Sequence, residues 1–217
     1  MTTRGWFLGG ATVLAIAAAA GAPSARQLGS RPAEDWIARL ERPDRVAGLK
    51  IDYIIASLGL EPGATIADIG AGPGVLSLPL AKAVAPRGKV YAVEIDQAFL
   101  DRITQKTAEA KIPNVVPVLG EFSDPKLPAR DVDVALFHDV LHHIKDRAAY
   151  LKATAGYVKP GGRIAIIELP PDGSHKAEPE LIVTKDQAKQ WLADAGFKPV
   201  QELDGLDGKW FIVYGRS

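Results

Sequence analysis

The 217-residue sequence has no cysteine, a single methionine, and no excess of charge of either sign, with 26 basic and 26 acidic residues. The absence of cysteine excludes disulfides, thiolate metal ligands and a cysteine nucleophile. The balanced charge, without a basic stripe, argues against a nucleic-acid partner, because such proteins neutralise phosphates with clustered lysine and arginine. The length suits one domain with a substantial core.

The first 25 residues are almost entirely apolar. After Arg4, residues 5–20 (GWFLGGATVLAIAAAA) carry no charge and end in small residues. This pattern is typical of a secretory signal or a membrane anchor. We therefore expect residues 1–25 to export or anchor the protein in the periplasm or cell envelope. Anchoring with the domain on the cytoplasmic face is one alternative, and a hydrophobic helix docked on the domain is another.

The rest of the chain predicts an alternation of strands and helices. Residues 26–43 predict a linker and a cap helix that begins with proline at position 32, and residues 44–217 predict the main domain. An amphipathic helical run extends from Asp44 to a stop at Gly59. The predicted strands then span residues 65–69, 89–95, 115–119, 132–137 and 163–168, and the predicted helices span residues 75–85, 97–111, 146–158 and 184–195. This alternation indicates parallel βαβ units in a sheet covered on both faces.

The C-terminal segments 197–203 and 210–214 predict two strands with no helix between them. The turn residues 204–208 (DGLDG) join them, so an antiparallel hairpin is expected. Asp96 is the predicted N-cap of the helix that follows the second strand, and Thr184 with Gln187 predicts a capping box.

The most informative motif is formed by residues 65–74 (TIADIGAGPG), in which a strand runs through Asp68 into three glycines spaced two apart. Glycine permits positive φ and close approach of a ligand to the backbone, and the following helix points its N-terminus at that ligand. The motif therefore predicts a nucleotide-cofactor site, with a glycine-rich turn that binds nothing as the alternative. Dinucleotide folds usually have the spacing G-x-G-x-x-G, but Val75 occupies the third such position here. The Asp68 carboxylate would repel a pyrophosphate and suits a cationic ligand.

Residues 68–74 resemble motif I of the class I S-adenosylmethionine-dependent methyltransferases, D/E-x-G-x-G-x-G. The resemblance implies a Rossmann-like three-layer α/β sandwich with a seven-stranded, mostly parallel sheet whose antiparallel last strand lies between the fifth and sixth. It implies S-adenosylmethionine as the cofactor and methyl transfer to a small molecule. An NAD(P)-dependent oxidoreductase is an alternative that Asp68, Val75 and the hairpin disfavour. A non-catalytic cofactor-binding protein of the cell envelope is a second alternative.

The resemblance also implies which residues bind the cofactor. Asp68 would face the methionine ammonium, Glu94 would accept the two ribose hydroxyls, and Phe122 would cover the adenine. The full implied set is Asp68, Gly70, Gly72, Gly74, Glu94, Ile95, Glu121 and Phe122.

Three of the four histidines follow the predicted strand 132–137. A metal site made by His138, Asp139 and His142 is one hypothesis. In the family, however, a similar V-L-H-H segment is loop structure at the cofactor pocket, and we predict no metal. Methyl transfer from a sulfonium chiefly requires alignment and exclusion of water. We predict His138 as the catalytic base for a phenol or hydroxyl acceptor, with a role in the pocket wall as the alternative.

The acceptor is expected to contact the N-terminal cap and residues 169–182, where family members differ most. Trp36, Tyr53 and His175 are candidate lining residues, and core packing is the alternative for each. A membrane anchor would suit a lipophilic acceptor. The chain lacks the N-P-P-Y segment of enzymes that methylate amino groups of nucleic acids, which disfavours bases as acceptors.

Overall fold

The computed structural model describes Met1, residues 32–172 and residues 178–217. Apart from Met1, the predicted signal or anchor segment 1–25 lies outside the described residues, and so does the candidate lining residue His175. Within the described ranges, no helix has the length and apolar character needed to cross a membrane.

A seven-stranded sheet forms the centre of the domain. Its strand order is β3-β2-β1-β4-β5-β7-β6, and β1 to β5 are parallel while β7 runs antiparallel to both β5 and β6. The strands are β1 Thr65–Ile69, β2 Lys89–Glu94, β3 Val115–Leu119, β4 Val132–His138, β5 Val158–Glu168, β6 Phe197–Leu203 and β7 Trp210–Arg216. The predicted fold is confirmed, including the position of the last strand between the fifth and sixth.

Seven α-helices are described, and two apolar clusters pack the last five of them onto opposite faces of the sheet. The helices are α1 Ala33–Leu40, α2 Pro43–Gly48, α3 Ile51–Leu58, α4 Ser77–Val84, α5 Gln97–Ala110, α6 Arg147–Ala155 and α7 Lys185–Asp194. Ile54, Leu80 and Ile103 from α3, α4 and α5 belong to one cluster. Tyr150 and Leu192 from α6 and α7 belong to the other. The predicted N-caps are confirmed, because Asp96 accepts from Ala98 N and Thr184 forms a capping box.

Two segments differ from the sequence prediction. The amphipathic run after Asp44 forms two helices, α2 and α3, because Lys50 adopts a left-handed conformation with φ 51°. Lys50 Nζ donates to Gly205 O at 3.1 Å and pairs with Asp207 at 2.8 Å, so this corner docks on the β6–β7 loop. Strand β5 begins at Val158, five residues early, with a register shift against β4 that accommodates the proline-glycine segment.

Candidate functional site

The candidate site lies at the carboxyl ends of β1, β2 and β4, where the strand order reverses between β1 and β4. Ligands of doubly wound sheets bind at such a switch point. Two pockets adjoin here and share Gly70, Glu94, Val140 and His143. The first pocket extends from Asp68 to His138 and is bordered on one side by α1 and α2, and the second extends from Ile95 to Phe122.

The glycine turn after β1 combines positive φ angles with close packing against side chains. Gly70, Gly72 and Gly74 have φ of 68°, 54° and 73°, which a side chain would strain. A Cβ on Gly70 would lie 2.2 Å from Val140 Cγ2, so the turn is pressed against the segment that follows β4. Gly70 and Gly72 line the first pocket. Gly74 lies outside both pockets. A Cβ on Gly74 would lie 3.0 Å from Ile103 Cγ1, so this glycine allows the turn to pack closely on α5.

Asp68 is a buried carboxyl at the end of β1. Only 2% of it is exposed, and its Oδ2 accepts a hydrogen bond from Ser77 Oγ at 2.6 Å. Burial raises the pKa of Asp68 to about 6, against the lowering effect of the Ser77 hydrogen bond. Because the partner is a neutral hydroxyl, the carboxylate retains the capacity to bind a cation in the first pocket.

Glu94 joins the glycine turn to the end of β2. Its Oε1 accepts from Gly72 N at 2.7 Å and its Oε2 accepts from Ile95 N at 3.0 Å. Burial raises the pKa of Glu94 to about 7, the two backbone N–H groups lower it, and the nearby charge of Asp68 raises it further. Each oxygen accepts one hydrogen bond here and has room for another, so the side chain can still receive hydroxyl donors from a ligand that spans both pockets.

The last three residues of the implied cofactor-binding set meet in the second pocket. Ile95, Glu121 and Phe122 line it together with Tyr150 and His143. Glu121 N donates to Asp124 O at 2.8 Å, so the loop after β3 is a closed turn. The Glu121 side chain is exposed and lies 3.3 Å from Lys126 Nζ.

His138 lies at the end of β4 in the wall of the first pocket. Burial lowers its pKa to about 4; the charge of Asp139 raises it, and the charges of Lys209 and Arg45 lower it further. Its Nδ1 lies 3.7 Å from Asp139 Oδ2, and its Nε2 lies 3.4 Å from Lys209 Nζ. A ring with so low a pKa and with both nitrogens facing charged protein groups is a weak base. This geometry favours the wall role over the predicted base role.

The other groups of the metal hypothesis are engaged by the protein. Asp139 forms an ion pair with Lys209, and His142 Nδ1 lies 2.7 Å from Glu168 Oε1 at a buried position. In the described part of the chain, no group of three or more ligating side chains is arranged to hold a metal ion. The His142 contact instead holds the turn after β4 against the end of β5.

The N-terminal helices form the wall opposite the glycine turn. Trp36 and Leu40 of α1 and Arg45 of α2 line the first pocket, and Arg45 Nη1 donates to Leu40 O at 3.0 Å. Tyr53, the other described candidate for the acceptor wall, lines neither of these two pockets; its hydroxyl accepts from Gly205 N at 3.1 Å.

Two charged residues at or near the first pocket, Arg45 and Lys209, were not predicted from the sequence. Lys209 had a detectable signal, because an antiparallel strand begins at the edge where its parallel neighbours end. The residue before β7 therefore had to lie at the carboxyl edge of the sheet.

Comparisons with known proteins agree with this geometry. Residues 67–166 match the family model described as a methyltransferase domain. The arsenite methyltransferase of Halobacterium salinarum is 26% identical over 157 residues, which cover 67% of this chain and 40% of that protein. The chain therefore spans about two fifths of the length of that relative.

Two solved structures share the fold. A SAM dependent methyltransferase from Aquifex aeolicus superposes with a TM-score of 0.77 at 22% identity, over 86% of this chain and all of the other. Magnesium protoporphyrin IX methyltransferase from Synechocystis, solved with bound SAH, has a TM-score of 0.65 at 19% identity, over 87% of this chain and 90% of that one. At these identities the similarity establishes the fold.

Proposed function

We propose that this chain, which carries a methyltransferase domain of the class I S-adenosylmethionine-dependent family, transfers a methyl group from S-adenosylmethionine to a small-molecule acceptor. One observation supports this above all. Two buried carboxyls, Asp68 and Glu94, flank a glycine turn at the switch point, and both have neutral hydrogen-bond donors as partners. That arrangement suits a ligand with a positive charge and hydroxyl groups, and it is unfavourable for a pyrophosphate.

The residues present match the parts of this cofactor. Asp68 would hold the ammonium group, Glu94 would hold the ribose hydroxyls, and Ile95 and Phe122 would enclose the adenine in the second pocket. When bound, the cofactor supplies a methyl group already activated on a sulfonium. The protein's own contribution is then to align the acceptor and to exclude water.

Water is excluded mainly by the wall that α1 and α2 form over the first pocket, through apolar side chains such as Trp36 and Leu40. His138 faces the same pocket from β4 and is neutral over the whole neutral pH range. We place it at the methyl-transfer end as an uncharged wall, because an imidazolium would oppose a sulfonium electrostatically.

The cofactor assignment can be tested by isothermal titration. S-adenosylhomocysteine should bind, whereas NAD and NADP should not, and the reverse pattern would establish the oxidoreductase alternative. Glu94→Ala and Asp68→Ala should each weaken S-adenosylhomocysteine binding by about 1–3 kcal/mol, the usual scale for lost hydrogen bonds to a charged group. Asp101→Ala, which alters an exposed acid of α5, is the matched control and should leave the affinity unchanged.

We further propose a lipophilic acceptor and export or anchoring through residues 1–25. The apolar run of residues 5–20 supports export or anchoring. The predominantly apolar wall near α1 supports a lipophilic acceptor. A topology reporter fused after Ser217 tests the location. A periplasmic signal would favour a non-catalytic envelope protein, because S-adenosylmethionine is made in the cytosol, and a cytoplasmic signal from a membrane fraction would favour the anchored enzyme.

A further inference from the structure

The C-terminal hairpin contacts the wall of the first pocket through Lys209. Lys209 immediately precedes β7, and 17% of its side chain is exposed. Its ammonium pairs with Asp139 and lies 3.4 Å from His138 Nε2. Both residues line the first pocket at the end of β4. A residue far away in the sequence therefore contacts both of them.

The contact with Lys209 determines how the His138 ring is protonated. An ammonium can only donate, so the ring nitrogen that faces it, Nε2, acts as the acceptor. A neutral imidazole with Nε2 as its acceptor carries its proton on Nδ1. That nitrogen is the one on the side of the Asp139 carboxylate, at 3.7 Å. The two charged partners thus favour the same tautomer.

The charges around His138 come from three elements. Asp139 lies next to it in the chain, Lys209 approaches from the hairpin, and Arg45 approaches from α2. Two of these three are cations, and they add to the effect of burial in disfavouring the imidazolium. Removal of Lys209 would leave Asp139 and Arg45 as a balanced pair.

Asp139 itself has an unusual backbone that needs support. Its φ is 52°, a left-handed conformation, and its N–H donates to Ile167 O at 3.0 Å. Such conformations persist where the surroundings over-determine them. The backbone hydrogen bond to β5 and the ion pair with Lys209 together supply that constraint.

The loop that carries Lys209 is held in place from the other side. Lys50 contacts Gly205 and Asp207, and Tyr53 accepts from Gly205 N. A Cβ on Gly205 would lie 2.0 Å from Tyr53 Cζ, so the loop packs directly on this side chain. Lys209 therefore extends from a fixed support.

We propose that Lys209 is a positioning residue, which keeps His138 neutral with its proton on Nδ1 and holds Asp139 in place at the end of the first pocket. This role rests on the proposed function, because a neutral wall matters where a cationic sulfonium binds. It also makes the C-terminal hairpin a part of the site.

The test is a proton NMR titration of the imidazoles in the full-length protein without ligand. The chain has four histidines, and single His→Gln variants assign them. In the unmodified protein, the His138 signal should stay in its neutral position down to pH 5. In Lys209→Met, its midpoint should move to higher pH, because a lowering charge is lost while Asp139 remains. Lys209→Arg should retain the low midpoint, and Lys198→Met, which removes an exposed lysine of β6, should not change it.

Ligand binding gives the second readout. Between pH 8 and pH 6, Lys209→Met should lose about threefold more S-adenosylmethionine affinity than the unmodified protein does, since only in the variant does the imidazole become partly protonated and oppose the sulfonium. The affinity for uncharged-sulfur S-adenosylhomocysteine should change much less. A loss that is equal for both ligands would overturn the proposal.

The titration of the unmodified protein decides the matter even if Lys209→Met does not fold. A His138 midpoint near 6.5 in that protein would refute the proposal, as would an unchanged midpoint in a folded Lys209→Met variant. If neither ligand binds the unmodified protein, the proposed function fails, whereas the NMR result still reports on the role of Lys209.

Discussion

The buried titratable groups at the two ends of the first pocket have pKa values shifted in opposite directions. At the glycine turn, Asp68 and Glu94 are buried beside neutral donors, and their pKa values rise to about 6 and 7. At the end of β4, His138 is buried beside cations, and its pKa falls to about 4. Burial is the largest cause at both ends, and in each case it disfavours the charged form. One end is therefore prepared to gain stability from a cationic ligand, while at the other end the histidine stays uncharged.

The largest expected effect comes from breaking the contact that joins the two ends. Gly70→Ala should destabilise the fold by about 2–5 kcal/mol, because it adds left-handed strain to overlap with Val140, whose Cγ2 would lie 2.2 Å from the new Cβ. Gly161→Ala is the control, since its φ is also positive but nothing lies within 4 Å of its Cβ. It should cost about 1–2 kcal/mol. Urea denaturation measures the loss of unfolding free energy in each variant. Equal losses would show that the Val140 side chain moves aside to accommodate the new Cβ.

The next effect separates the two ends by the sign of their pH dependence. The pKa of Glu94 is raised from 4.5 to about 7 in the folded state, so its contribution to stability is present below pH 4.5 and is lost as pH rises to 7. The pKa of His138 is lowered from 6.5 to about 4, so the folded state is destabilised as pH falls from 6.5 to 4. Each limb amounts to about 3 kcal/mol at 1.36 kcal/mol per pKa unit.

Single variants should remove one limb each. The two limbs overlap between pH 4.5 and 6.5 and have opposite signs, so each variant is read as a change in the slope of unfolding free energy against pH. Glu94→Gln should make that slope more positive between pH 4.5 and 7, and His138→Gln should make it more negative between pH 4 and 6.5. Urea denaturation at a series of pH values measures both slopes. If either variant keeps the pH slope of the unmodified protein, the corresponding group titrates at its ordinary pKa in the folded state.

The same comparison shows what could be predicted from sequence. Apart from the early start of β5, the strands were predicted within two residues, because each is a short apolar run between turn residues. Asp68, Gly70, Gly72 and Glu94 were found because one contiguous motif and the end of the next strand carry them. The other end of the pocket is assembled from distant parts of the chain. Arg45, for example, lines it because α2 packs beside the end of β4. Tertiary packing of this kind leaves no local pattern.

The helical break at Lys50 shows the same limit. Residues 44–58 have the spacing of one amphipathic helix, and Gly48 is the only glycine or proline among them. The break is favoured by contacts with the β6–β7 loop, about 150 residues away in the chain, through Gly205 and Asp207. Local propensity is a weak determinant where such contacts compete with it.

The smallest expected effect concerns how the cap is fastened to the glycine turn. Glu41, just after α1, pairs with Arg102 and Lys106 of α5, each at 2.7 Å, and Lys106 Nζ also donates to Pro73 O at 2.8 Å. These side chains are 19–31% exposed, so each pair is worth about 0.2–1 kcal/mol. Glu41→Gln should therefore weaken S-adenosylhomocysteine binding by only about two- to fivefold, measured by isothermal titration.

Asp44→Asn is the matched control for Glu41→Gln. Asp44 pairs with Arg42 in the same segment, but the side chains of that pair are 61% and 65% exposed and both lie on the cap itself. Its loss should leave ligand affinity unchanged, because the pair does not connect the cap to α5. Equal affinities for the two variants would mean that α1 is held over the first pocket by the apolar contacts of Trp36 and Leu40, and that the ion pairs with α5 add nothing to closure.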